Sequence, residues 1–128
     1  MAKPSKPSLV EVKMVGNALE INWNSTDPRV KSFSVVKTSK FGWIDTMSEE
    51  FTDIKNKTFV DSAIAPESTY FYEVYSLDEF GIKSEPSIEV KYTTTKDEGT
   101  LEDSKIENNA PSKTNVKQQD DTQNVVQT

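Results

Sequence analysis

The chain has 128 residues with neither cysteine nor histidine, and 15 basic and 21 acidic residues give it a net charge of −6. This composition excludes Cys-His and Ser-His-Asp nucleophiles, thiolate or imidazole zinc sites, and disulfides. An acidic chain has no basic surface to displace the counterions of a nucleic acid, so we expect no such partner. No apolar run is long enough for membrane insertion, and Met1–Lys6 lacks the apolar core of a signal peptide.

The distribution of aromatic residues divides the chain. All of them lie between Trp23 and Tyr92. Residues 96–128 are dominated by charged, amide and hydroxyl side chains, which cannot bury enough apolar surface to offset the entropy of ordering the backbone. We therefore predict a lead-in segment over residues 1–7, a folded domain over 8–95 and a disordered polar tail over 96–128.

Apolar and polar residues alternate with a period of two along most of the body, which indicates β-strands. In chain order, strands are predicted around Val10–Met14, Leu19–Trp23, Phe33–Val35, Thr58–Asp61, Tyr70–Leu77 and Ile88–Thr93. A turn is predicted at Gly16-Asn17, and Lys37–Lys57 is predicted as a more irregular stretch. About seven short strands, each with one apolar face, predict an all-β fold, a sandwich of two antiparallel sheets packed face to face.

Strand parity predicts which side chains form the core. If Trp23 points inward, then Leu19 and Ile21 do so too, because successive side chains on a strand alternate between its faces. On the long strand, Tyr70 and Tyr72 share one face. Trp23, Tyr70 and Tyr72 are therefore the predicted structural core residues.

Several segments of the body carry the pattern of a known domain family. The second strand contains Leu19-x-Ile21-x-Trp23 and the third contains Phe33-Ser34-Val35. The run from Ile64 to Val74 is similar to a Leu-x-Pro-Gly-Thr-x-Tyr-x-x-x-Val segment, and the run from Asp78 to Ser87 is similar to an Asp-x-x-Gly-x-x-Ser-x-Pro-Ser turn. Together these segments resemble a fibronectin type III domain of the bacterial type.

The resemblance covers roughly residues 7–95. It implies a seven-stranded immunoglobulin-like sandwich with a tyrosine corner, in which the Tyr70 hydroxyl bonds to backbone in the preceding turn.

Two positions depart from familiar members of the family. Glu67 stands where the family usually has glycine, so we expect a different backbone conformation in that turn, because a side chain resists positive φ. Arg29 is the only arginine and Val30 follows it, so the Arg-Gly-Asp adhesion tripeptide is absent.

The candidate contact patch is aromatic. Phe41 and Trp43 fall in the irregular stretch, and Phe80 lies in the turn before the last strand. Exposed aromatic side chains dominate binding hot spots, so these three could contact a partner. The alternative is that Trp43 covers the edge of a sheet as ordinary packing. An acidic cluster at Asp45, Glu49, Glu50 and Asp53 lacks the spacing of a calcium loop and is interpreted as a solvated face.

Three functions remain open, and none involves catalysis or a cofactor. The first is a protein-interaction or spacer module of a bacterial cell-surface protein or lipoprotein, whose partner is a protein of unknown identity. The second is a structural protein of a phage or other virion, in the tail or as capsid decoration, and the third is an accessory carbohydrate-binding module that takes a polysaccharide. A chain trimmed from a longer precursor would indicate an extracytoplasmic or cell-surface location. A complete chain would indicate a virion.

Overall fold

The structure is a computed structural model that describes residues 2–41 and 45–99. Trp43 and residues 100–128 lie outside the described residues, as does the side chain of Phe41. The described ranges contain no helix, and so none that could cross a membrane. They contain seven strands: β1 (Ser8–Val15), β2 (Ala18–Asn24), β3 (Val30–Phe41), β4 (Asp45–Ile54), β5 (Thr58–Asp61), β6 (Thr69–Asp78) and β7 (Val90–Thr93).

The strands form two antiparallel sheets, and the predicted seven-stranded sandwich is confirmed. One sheet has the order β1-β2-β5 and the other has the order β4-β3-β6-β7. The first hairpin turns at Gly16-Asn17, as predicted, with Val15 paired to Ala18 and Gly16 at a φ of +62°. Two-residue hairpin loops of this kind need positive φ, which glycine adopts without strain.

The core lies between the two sheets. Trp23 and Phe33 come from opposite sheets, and their rings meet edge to face with centroids 5.3 Å apart. Such an arrangement brings the positive edge of one ring to the negative face of the other. The fully enclosed members of this core, with no exposed surface, are Leu19, Ile21, Val35, Tyr72 and Val74. The alternation of the sequence therefore sets which face of each strand is inside.

The prediction of an irregular stretch over Lys37–Lys57 is wrong. β3 continues to Phe41, and β4 returns beside it as a long hairpin, with Val36 paired to Glu50 and Lys40 paired to Thr46. The apolar alternation ends at Val35 because the next two inward positions of β3 are Lys37 and Ser39, both buried. The backbone thus keeps its strand while the inner side chains change from apolar to polar.

The turn before β6 also differs from expectation. Glu67 adopts the left-handed conformation that glycine usually supplies, with a φ of +52°. Its backbone N–H donates to the Thr95 carbonyl at 3.2 Å, so the turn stays tied to the chain that follows β7. A left-handed non-glycine residue costs about 1–2 kcal/mol, which the surrounding contacts offset here.

Both ends of the described chain pack on the body. Pro4 and Pro7 of the predicted lead-in are buried. Beyond β7, the Glu98 carboxylate accepts hydrogen bonds from the Thr95 N–H at 3.0 Å and the Tyr92 hydroxyl at 2.9 Å. Pro4, Pro7 and Glu98 therefore contact the folded body, and the predicted disorder of residues 100–128 stays a prediction.

Candidate functional site

The predicted contact patch groups Phe80 with Phe41, but the described backbone places these two residues at opposite ends of β3. Phe80 is 65% exposed and follows Asp78, which pairs with Val30 at the first residue of β3. The backbone of Phe41 lies at the last residue of β3, where it pairs with Asp45. At about 3.3 Å per strand residue, these two ends of β3 are roughly 35 Å apart. The expectation that Phe80 joins Phe41 is wrong because β3 is a full-length strand, and the prediction for Trp43 stays untested.

Phe80 is held by a turn that one carboxylate organises. The Asp78 side chain accepts hydrogen bonds at Oδ1 from the backbone N–H groups of Phe80 and Ile82, both at 2.9 Å. The Asp78 carbonyl accepts another from Gly81, whose φ is +78°. Aspartate caps turns in this way because its short side chain reaches backbone donors two residues on. The aromatic ring is therefore presented to solvent on a fixed support.

The neighbouring loop, between β2 and β3, is organised by a second carboxylate. Asp27 receives the Arg29 guanidinium in a two-point contact, with Nε at 3.1 Å and Nη2 at 2.8 Å. The Ser5 N–H donates to the same carboxylate at 2.9 Å, and Arg29 reaches on to the Lys3 carbonyl at 3.1 Å. These hydrogen bonds, first of all that of Arg29, hold the pKa of Asp27 well below its usual range.

The two loops and the start of the chain enclose a cleft of about 440 Å³ at this end of the sandwich. We call the residues that line it the loop-end surface: Ala2, Pro28, Arg29, Lys31, Asp78, Glu79 and Phe80. They include two cationic groups, two carboxylates and one exposed aromatic ring. A volume of this size lies within the range of ligand pockets in proteins. The arrangement can form ion pairs, hydrogen bonds and an apolar contact with a partner at the same time.

Comparison with known proteins finds likeness in structure but not in sequence. No family model and no curated protein sequence matches the chain. An Fn3-like protein from Clostridium thermocellum superposes with a TM-score of 0.56 at 19% identity, over 85% of this chain and 99% of that one. The FN5 domain of Drosophila Lar gives 0.56 at 16% identity, over 72% and 97%. The chain has the fibronectin type III fold.

A third structural neighbour is a much longer chain. The pectate lyase PelI of Erwinia chrysanthemi, solved with tetragalacturonic acid, has a TM-score of 0.55 at 17% identity, over 68% of this chain and 28% of that one. Domains of this fold occur as spacer or interaction modules, and some of the structural neighbours are carbohydrate-active enzymes. The domains themselves are typically non-catalytic.

The three predicted core residues all lie in the interior of this fold. Trp23, Tyr70 and Tyr72 expose 5%, 2% and 0% of their surface. The Tyr70 hydroxyl accepts a hydrogen bond from the Ala65 N–H at 2.7 Å, in the turn that precedes β6. This is the bond that the resemblance implies for a tyrosine corner, and it fixes the turn to the strand that follows.

A buried polar cluster between the sheets was missed by the sequence reasoning. Lys37 of β3 and Asp61 of β5 meet with Nζ and Oδ2 2.7 Å apart, and their side chains are only 3% and 4% exposed. The Tyr72 hydroxyl donates to the same Oδ2 at 2.6 Å. Burial, and then the Asp61 carboxylate, raise the pKa of Tyr72 far above its usual range, so it stays a donor. The signal in the sequence was the parity of β3, which places Lys37 on the same face as Phe33 and Val35.

The acidic cluster lies on both faces of β4 and does not converge on a point. Asp45, Glu49, Glu50 and Asp53 are all exposed, which agrees with the predicted solvated face. Glu50 pairs with Lys83 at 2.7 Å and accepts from the Ser34 hydroxyl at 3.0 Å. These two contacts lower the pKa of Glu50. Within the described ranges, no group of three or more acidic side chains is placed to hold a metal ion.

Proposed function

We propose that this domain is a non-catalytic interaction module of a bacterial cell-surface protein or lipoprotein, and that it binds a protein partner through the loop-end surface. One observation carries the proposal: Phe80 presents 65% of its surface to solvent beside the cleft, on a turn held by Asp78. A large aromatic ring on a rigid support loses little conformational entropy on binding, which favours its use as an anchor.

The charges around Phe80 support a protein as the partner. Arg29 and Lys31 lie in the same cleft as Asp78 and Glu79, so both signs of charge surround one apolar contact. An apolar anchor within a polar rim is the usual anatomy of a protein–protein interface. The neighbouring structures from Clostridium thermocellum and from Lar show that the fold also stands alone as a compact domain, which suits a module in a longer surface protein.

A polysaccharide is the second candidate partner. The pectate lyase neighbour was solved with an acidic sugar, and the cleft offers an exposed aromatic ring beside two cationic groups. Aromatic faces stack on sugar rings, and arginine pairs with carboxylates. The same surface would then serve a carbohydrate instead of a protein, so a binding screen that includes both kinds of ligand separates the two.

The test is a binding screen with paired variants. Purified full-length chain is presented to a panel of bacterial surface proteins and to acidic and neutral polysaccharides, and affinities are measured by biolayer interferometry. For any ligand that binds, Phe80→Ala should weaken affinity at least tenfold, which corresponds to about 1.4 kcal/mol. The proposal expects that ligand to be a protein, and loss of polysaccharide binding instead would support the second candidate.

The matched control is Ile88→Ala. Ile88 is also 65% exposed and lies before β7, outside the cleft. The Ile88→Ala substitution should leave both the affinity for the ligand and the unfolding temperature unchanged. If Ile88→Ala weakens binding as much as Phe80→Ala does, or if Phe80→Ala has no effect on a ligand that binds, then the loop-end surface is not the contact site.

A further inference from the structure

The Lys37–Asp61 pair has the geometry of two reactants held together. Each comes from a different sheet, and their side chains meet in the interior with Nζ 2.7 Å from Oδ2. Reacting atoms held close together in a fixed orientation react far faster than the same groups free in solution. An ion pair at the surface fluctuates, but both of these side chains are enclosed on all sides, at 3% and 4% exposed.

The backbone of Ala63 fixes both reactants. Its carbonyl accepts a hydrogen bond from Lys37 Nζ at 2.8 Å, and its N–H donates to Asp61 Oδ1 at 3.0 Å. The Tyr72 hydroxyl donates to the other carboxylate oxygen, Oδ2, at 2.6 Å. Each oxygen of the carboxyl group therefore faces a donor, and donors aimed at a carboxyl group make its carbon more electrophilic and stabilise negative charge that forms on oxygen.

We propose that Lys37 and Asp61 condense within the folded domain to form an intramolecular amide that covalently joins β3 to β5. The amide would link the two sheets through their interior. The proposal is independent of what the loop-end surface binds.

The atoms balance without an external reagent. The ammonium first gives one proton to Oδ2, which leaves a neutral amine beside a carboxylic acid. The nitrogen lone pair attacks Cγ, a C–N bond forms, and the C=O electron pair moves to Oδ1, which accepts a hydrogen bond from the Ala63 N–H. A second proton passes from nitrogen to Oδ2, the electron pair on Oδ1 re-forms the C=O bond, and the Cγ–Oδ2 bond breaks with its electron pair on Oδ2, which leaves as water. The third hydrogen of the original ammonium remains on the amide nitrogen.

Burial favours this outcome over a permanent ion pair. Removing two charges from water is costly, and a neutral amide has no charge to desolvate. After condensation, Oδ1 becomes the amide carbonyl oxygen and keeps the Ala63 N–H as its donor. The Tyr70 ring, whose centroid is 4.9 Å from Nζ, covers another side of the nitrogen. Tyr72 acts as a positioning residue, because it orients Oδ2 and does not take part in bond formation.

The test is the intact mass of the purified full-length chain. If the amide forms, the mass is lower than the sequence mass by one water, and protease digestion gives a branched peptide joined through Lys37 and Asp61. A folded protein that keeps its full sequence mass after prolonged incubation at growth temperature overturns the proposal. This measurement needs no variant, so it does not depend on whether a mutant folds.

Two controls separate the amide from other losses of water. Asp61 precedes Ser62 and could also dehydrate to a cyclic imide, which hydroxylamine cleaves and an ordinary amide resists. Lys37→Arg should restore the full mass, whereas Lys40→Arg, which changes an exposed lysine of the same strand, should leave the loss of water intact. A loss that persists in Lys37→Arg, or that hydroxylamine removes, overturns the proposal.

The role of Tyr72 is tested by rate. In refolding from denaturant, Tyr72→Phe should lose water at least tenfold more slowly than the unaltered chain, because Oδ2 is no longer oriented. Tyr70→Phe, which removes a hydroxyl bonded to backbone outside the cluster, should change the rate little. Equal rates in the two variants would exclude a positioning role for Tyr72.

Discussion

Two acid–base contacts with almost the same atomic separation differ in how far solvent reaches the cation. Lys37 and Asp61 meet at 2.7 Å with side chains 3% and 4% exposed, whereas Arg29 and Asp27 meet at 2.8 Å with side chains 50% and 8% exposed. The first joins the two sheets through the interior, and the second joins a loop to the start of the chain. Distance alone therefore says little about what a charged contact does, because the surroundings set the cost of separating the partners.

Removing one partner of the buried contact should have the largest effect. Asp61→Ala leaves the Lys37 amine enclosed without its acid, and it also prevents the proposed amide. We expect a loss of about 3–5 kcal/mol in the free energy of unfolding, measured by urea denaturation. Arg29→Ala at the loop end is the comparison, and we expect it to change stability much less. Equal losses of unfolding free energy in Asp61→Ala and Arg29→Ala would show that burial does not make the Lys37–Asp61 contact more important for stability than the Arg29–Asp27 contact.

The next largest effect concerns the third member of the buried cluster. In the chain before condensation, Tyr72→Phe removes a hydroxyl that donates to the Asp61 carboxylate and should cost about 1.5–3 kcal/mol, as expected for a hydrogen bond to a charged group. Tyr70→Phe removes a hydroxyl of the same strand that meets only a backbone N–H, and should cost about 0.5–1.5 kcal/mol. Denaturation curves of both variants measure the difference, and a larger loss in Tyr70→Phe would contradict this ranking.

The smallest effect is the pH response of the loop end. The folded pKa of Asp27 is lowered from its ordinary value of 3.8, first by Arg29. Its contribution to stability is thus present above that value and is lost as the pH falls towards the folded pKa. Asp27→Asn should unfold at a lower temperature than the unaltered chain at neutral pH, and the difference should shrink at about pH 3. If the difference in unfolding temperature grows on acidification, then the Asp27 carboxylate does not stabilise the fold in its charged form, and the prediction is wrong.

Local patterns were enough to predict most of the fold. The alternation around Trp23 and along Tyr70–Leu77 predicted strands with the correct inward face, and Gly16-Asn17 predicted the first turn. These features depend on neighbours in sequence, since side-chain alternation and turn chemistry are both local. The same pattern did not predict the strands within Lys37–Lys57. There β3 continues with buried polar residues after the alternation of apolar residues has ended.

The candidate sites were predictable only in part. Phe80 was identified as an exposed aromatic residue in a turn, but its separation from Phe41 follows from the full length of β3. The cleft beside it depends on Arg29 and Asp78, two residues far apart in the chain that meet because β3 pairs with β6. Nothing in the local sequence around either residue indicates the other.

By itself, the sequence determined the class of the fold, the inward faces of the strands that carry Trp23 and Tyr70, and the absence of cysteine and histidine chemistry. Only the tertiary structure decided that β3 continues past Val35, so that its parity carries Lys37 inside, and that Asp61 and Tyr72 meet it there. Whether a lysine on an inward position is tolerated depends on which acid the opposite sheet brings within reach. That is fixed by the packing of two sheets and not by any neighbour in the chain.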